Sequence, residues 1–162
     1  MSEATNDPYR TPEASLVQPT NDQSILAFRR FTAWGVFGLT IITFGIYPYY
    51  WMYSRATIIN SLHEDKIPLA LPLSLMGVVF LSYASSFFGE GETAIIASLV
   101  ITLIYLVLYF VVLFKIRNRL QDIINRSGNK QYKLGPILTF FFYAIYLQYK
   151  INECIDDLQP GT

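Results

Sequence analysis

Four stretches of this chain carry no Asp, Glu, Lys or Arg, and together they hold more than half of its 162 residues. They lie between Arg30 and Arg55 (24 residues), Lys66 and Glu90 (23), Glu92 and Lys115 (22), and Lys133 and Lys150 (16). About 20 apolar residues in helix cross about 30 Å of hydrocarbon. The first three stretches are therefore long enough to span a bilayer, and the fourth is marginal. A water-soluble domain spreads about 25% charged residues over its length, whereas here charges make up 15% and are confined between the gaps. Twelve basic and twelve acidic residues balance to zero, and their confinement between the gaps rules out an ordinary water-soluble globule, a nucleic-acid module and a disordered tail. The expected fold is an all-α membrane protein: two clear transmembrane helices plus two kinked, aromatic-rich helices that either span or re-enter.

Residues 1–27 are polar, contain Pro8, Pro12 and Pro19, and read as a mobile N-terminal tail. No cleavable signal peptide is visible, because the first apolar run begins only at Phe31. The helical membrane domain is expected over residues 28–158, with segments at about 31–53, 69–88, 94–114 and 135–149 and a short tail at 159–162. Gly45 and Pro48 predict a kink or break in the first segment. Pro68 and Pro72 suit the start of the second. Gly89-Glu90-Gly91-Glu92-Thr93 reads as a tight acidic connection to the third, which then continues amphipathically past Lys115 until Ser127-Gly128-Asn129.

A shift of 96 residues aligns segment one with segment four. Thr43, Phe44, Tyr47, Tyr50, Tyr53 and Ile59 match Thr139, Phe140, Tyr143, Tyr146, Tyr149 and Ile155. The tyrosine trios predict an aromatic face near a membrane interface. A fainter third copy is visible where Phe114-Lys115-Ile116 echoes Tyr149-Lys150-Ile151, and Ile123-Ile124-Asn125 echoes Ile58-Ile59-Asn60.

Thr40-Ile41-Ile42-Thr43-Phe44-Gly45-Ile46-Tyr47-Pro48-Tyr49-Tyr50-Trp51-Met52-Tyr53, with Ile59-Asn60 after it, resembles the signature of the DUF4234 family. Phe44 stands where that family more often has Leu, and Ser54 where it more often has Lys. Tyr146-Leu147-Gln148-Tyr149-Lys150-Ile151-Asn152 fits the family's second aromatic motif. The resemblance implies a small bacterial integral membrane protein of the inner membrane, and brings no catalytic residue, cofactor or substrate. In the tail, Asp7-Pro8-Tyr9-Arg10-Thr11-Pro12 is similar to an Asn-Pro-Tyr-x-x-Pro element at the N-termini of many such proteins. Pro8, Tyr9 and Pro12 are thus a candidate docking peptide, whose prolines reduce the entropy lost on binding.

Residues 115–133 hold six basic residues (Lys115, Arg117, Arg119, Arg126, Lys130, Lys133) against Asp122 alone. This excess places the stretch in the cytoplasm, and the six are candidate lipid-headgroup contacts. Arg29-Arg30 and the shortness of segment four favour re-entry with both tails inside; the length of segment one favours spanning. His63 and Cys154 are single and far apart, so no metal site is expected. With no paired titratable groups in any apolar segment, the chain reads as a non-enzymatic scaffold or accessory subunit. Its expected partners are membrane lipid and another membrane protein or a second copy. An oligomeric channel or transporter component is the alternative reading.

Overall fold

The computed structural model of the chain describes residues 23–85, 91–127 and 130–159. Regular structure among them is all helical: a 3-10 turn at Gln23–Ala27, then α1 (Ala33–Ile42), α2 (Tyr47–Leu62), α3 (Ala70–Ser85), α4 (Glu92–Ser127) and α5 (Pro136–Leu158). Pro8, Tyr9 and Pro12 lie outside the described residues. The helices form three hairpins of unequal height on a shared base.

The segment expected over 31–53, with its kink or break at Gly45 to Pro48, is the first hairpin, and the second helix runs on to Leu62. The Thr32 hydroxyl caps α1 by accepting from the Gly35 amide at 3.2 Å. α1 stops after ten residues in a Schellman turn, with Phe44 N donating to Ile41 O (3.1 Å) and Gly45 N to Thr40 O (2.7 Å). Phe44 (φ 49) and Gly45 (φ 84) supply the left-handed backbone this requires. The Thr43 hydroxyl donates to Leu39 O at 2.7 Å and accepts from Tyr47 N at 2.9 Å, stitching α1 to α2. Pro48 sits in the first turn of α2 and starts that helix instead of breaking one. The reversal brings Phe28, ahead of α1, under the Arg55 guanidinium.

The second hairpin is α3 with α4. Glu92 opens α4 instead of lying in a turn, and its carboxylate suits the positive helix end. α4 runs for 36 residues, about 54 Å, through the basic stretch to Ser127. Among the described residues it is the one helix long and apolar enough to cross a membrane. α3 has 16 residues, so by length the expected pair of clear spans reduces to one. Only 6% of the apolar window of α4 is buried, unlike the core helix of a soluble domain.

The third hairpin lies within segment four and runs beyond it to Leu158. α5 breaks at Tyr143 (φ 24, ψ −109). Gly135 N donates to the Tyr146 hydroxyl at 2.9 Å, whereas a straight helix would separate those residues by about 16 Å. Residues 136–142 are thus a short apolar arm of about 10 Å, and 144–158 fold back from it.

The base is built from the returning helices, and here the sequence repeat becomes physical. α2 buries Pro48, Trp51, Arg55 and Ile59; α5 buries Ala144, Leu147, Ile151 and Ile155 at the same spacing. α4 buries Leu113, Ile116, Leu120 and Ile124, again with steps of three, four and four. Such steps place one stripe along a helix face. Ile25, Phe28, Ile67 and Leu134 complete the core. The opposite end is apolar on its outside, with Phe44, Leu99 and Leu103 exposed, and so are the flanks of the short arms at Trp34, Ile137 and Phe141.

Candidate functional site

One residue breaks the apolar stripe. Arg55 is buried at the position taken by Leu120 in α4 and Ile151 in α5. Among the described residues no carboxylate pairs with it. One terminal nitrogen of its guanidinium donates to Gln148 Oε1 at 2.9 Å, and Trp51 Nε1 donates to the same oxygen at 3.0 Å. Gln148 Nε2 donates to Asn152 Oδ1 (3.0 Å), and Asn152 Nδ2 to the Phe31 carbonyl (2.7 Å). The guanidinium carbon lies 5.4 Å from the Trp51 ring and 6.0 Å from Phe28. Its Nε has no hydrogen-bond partner. A cation held by ring quadrupoles and one amide is electrostatically under-compensated. The network ties α2 to α5 and to the entry of α1.

Above it a chain of tyrosines crosses three helices. Tyr49 and Tyr105 share a hydroxyl–hydroxyl hydrogen bond of 2.9 Å. Tyr105 then meets Tyr109 at 5.8 Å, and Tyr109 meets Tyr143 edge-on at 6.3 Å between ring centroids. Tyr49, Val79, Ser82, Tyr83, Thr102 and Tyr105 line a cavity of about 210 Å³ between α2, α3 and α4. The Tyr83 hydroxyl donates to the Phe44 carbonyl at the tip of the first hairpin (3.2 Å).

The predicted tyrosine trios do not form two equivalent faces. Tyr47, Tyr53, Tyr143 and Tyr146 are half-buried, while Tyr50 and Tyr149 are exposed. Tyr47 stacks obliquely on Tyr50 at 6.1 Å, and Tyr146 clamps Gly135. Tyr49, Tyr105 and Tyr109, the residues that do converge, were not singled out, because their proximity comes from helices far apart in sequence.

The six basic residues divide in two. Arg117 donates to the Leu134 carbonyl, Arg119 pairs with Asp65, and Lys130 reaches Asp157 at 3.1 Å. Lys115, Arg126 and Lys133 have no hydrogen-bond or ion-pair partner in the protein among the described residues. Beside them, Asp157 accepts from the Tyr132 hydroxyl. That bond and Lys130 hold its carboxyl below the ordinary range. Burial, then the same bond, pushes the Tyr132 phenol up. Burial, with Asp157 and Glu153 nearby, pushes the Cys154 thiol up to about 11. His63 is buried against α4 with Nε2 3.5 Å from Asp122, and its Nδ1 accepts from the Asp65 amide at 3.0 Å.

Two asparagines close the hairpin loops. Asn60 Oδ1 accepts from Ile67 N at 2.6 Å and its Nδ2 donates to Ile67 O at 2.7 Å. Asn125 Oδ1 accepts from Tyr132 N at 2.7 Å. Each reaches the residue seven positions on. In the copy carried by α5 the position is Asp156, which meets Arg30 at 3.0 Å.

A base of repeated helices carrying apolar hairpins defines a class of helical protein with one membrane-length helix. Over residues 31–122, more than half of the chain, the sequence matches the family described as a domain of unknown function (DUF4234), and the protein belongs to that family. No curated protein and no solved structure matches it.

Proposed function

We propose that the chain is a multi-pass protein of the bacterial inner membrane that acts as a non-enzymatic scaffold or accessory subunit. In this reading the α3–α4 hairpin crosses the bilayer. The other two hairpins enter from the cytoplasmic side and return, and both tails are cytoplasmic. The observation that carries it is the zoning of the surface. Large apolar side chains are exposed along α1, α3, the first half of α4 and residues 136–142, while the basic residues ring the packed base. Exposed apolar surface of this extent marks a lipid or protein contact, and positive charge marks the cytoplasmic end. Lipid at Lys115, Arg126 and Lys133, and a membrane protein or second copy on the aromatic faces, are the partners that fit. A cysteine at position 5 and one at position 91, probed with an impermeant thiol reagent in intact cells, test the orientation. Labelling at 91 and none at 5 is expected; labelling at 5 overturns it. For the scaffold role, crosslinking in native membranes should return a recurring neighbour. A chain that stays an uncrosslinked monomer there counts against it.

The second reading, a component of an oligomeric channel or transporter, is favoured by the hydroxyl-lined cavity of Tyr49, Ser82, Tyr83, Thr102 and Tyr105. Flux through vesicles reconstituted with the purified chain separates the two.

A further inference from the structure

The three hairpins reach different heights, and this sets the shape of the molecule. Beside Tyr109 and Phe110 of α4 lie Tyr143 and Phe140 at the third reversal. Beside Tyr105 lies Tyr49, just after the first reversal. Nothing of α1, α2 or α5 accompanies α4 toward its start: from Gly91 to Val100 every residue except Ala94 is exposed. Among the described residues, α1 and α2 therefore accompany α3 and α4 through one half of the apolar layer, the two arms of α5 join them only over the last turn or so before Lys115, and only α3 and α4 fill the other half.

From this asymmetry we infer that the protein is a wedge for the lipid bilayer. It widens the leaflet on its basic side and favours membrane that curves with that side convex. This rests on the membrane orientation proposed above. Each helix with its side chains is about 10–12 Å across, so the two full-depth rods add roughly 160–230 Å² to one leaflet, rising to roughly 300–450 Å² at its edge where the arms of α5 join. The first reversal, with Phe44, stops near the middle of the apolar length of α4, the third stops lower beside Tyr109 and Phe110, and both leave the far leaflet to lipid. By the charge rule the wide leaflet is the cytoplasmic one, so the favoured bend bulges toward the cytoplasm.

The test uses the full chain, fluorescently labelled, in giant vesicles of phosphatidylethanolamine and phosphatidylglycerol from which narrow tubes are drawn. With the basic end on the outer, convex face, several-fold enrichment on the tube over the flat membrane is expected. With the orientation inverted, depletion is expected. Equal density on tube and flat membrane in both orientations overturns the inference. Dimers in single-molecule bleaching with no preference for curvature overturn it too, since a second copy then fills the vacant half-layer. Protein that fails to float with the vesicles overturns both this inference and the membrane reading beneath it.

Discussion

Replacing Arg55 by leucine is expected to leave the fold intact or make it more stable, although the residue makes a buried hydrogen bond and two ring contacts. The losses are a charged hydrogen bond to Gln148, about 1.5–3 kcal/mol, and ring attraction of about 1–2 kcal/mol. The gain is release of a buried cation whose desolvation penalty is several kcal/mol and which no carboxylate offsets. Gln148 Oε1 keeps its bond from Trp51 after the change. Leucine also fits the slot, because Leu120 and Ile151 occupy the same stripe position in the sister helices. The reverse perturbation behaves differently. Gln148→Leu strands Arg55, Trp51 Nε1 and Asn152 Oδ1 together, and is expected to destabilise by about 3–5 kcal/mol. The double variant should recover most of that loss. Thermal or denaturant unfolding of the four proteins in one lipid or detergent condition completes the cycle. If Arg55→Leu alone is as damaging as Gln148→Leu, or if the pair shows no coupling, the account of an under-compensated cation is wrong.

Other expectations follow from the loops, the reversals and the inner end. Phe44→Gly should stabilise by about 1 kcal/mol in detergent, since φ is already left-handed there, while Gly45→Ala should cost about the same; unfolding midpoints compare them. Asn60→Ala should cost about 1–3 kcal/mol and speed amide exchange at Ile67, because both backbone groups of Ile67 lose their partner. Tyr132→Phe should raise the titration of Asp157, followed by carboxyl NMR. A depressed carboxyl contributes stability above its ordinary value of 3.8 and loses it as pH falls through the folded value, so in the variant this contribution should be smaller and its loss should be complete at a higher pH. Cys154, with its thiol raised from 9.0 to about 11, should alkylate only as the chain unfolds, and its contribution to stability should fade as pH climbs between those values.

The charge gaps read correctly as helices because desolvated charge is excluded from apolar layers whatever the fold. The 96-residue repeat likewise located α2 and the returning arm of α5, since matched apolar spacing makes matched helix faces. The reversals were only half legible. Gly45 announced a break, but the left-handed turn begins at Phe44, and the second sits at Tyr143, residue types that rarely adopt such backbone. Tertiary packing overrode local preference at both. Arg55 passed unnoticed because a single arginine after an aromatic cluster looks like an interfacial charge; only the folded base reveals it as buried. The echo of Ile-Ile-Asn was visible, but its use as a clamp on Ile67 and Tyr132 depends on loop geometry that spacing alone does not dictate.

The separation of a repeated base from unequal arms has a consequence for how such a chain can change. A whole turn added to or removed from residues 33–42 or 136–142 alters how deep a hairpin reaches, yet leaves every buried stripe in register with its neighbours. Reach and foundation are therefore independently adjustable traits. Units that share one buried spacing are free to differ in height without renegotiating the contacts that keep them together.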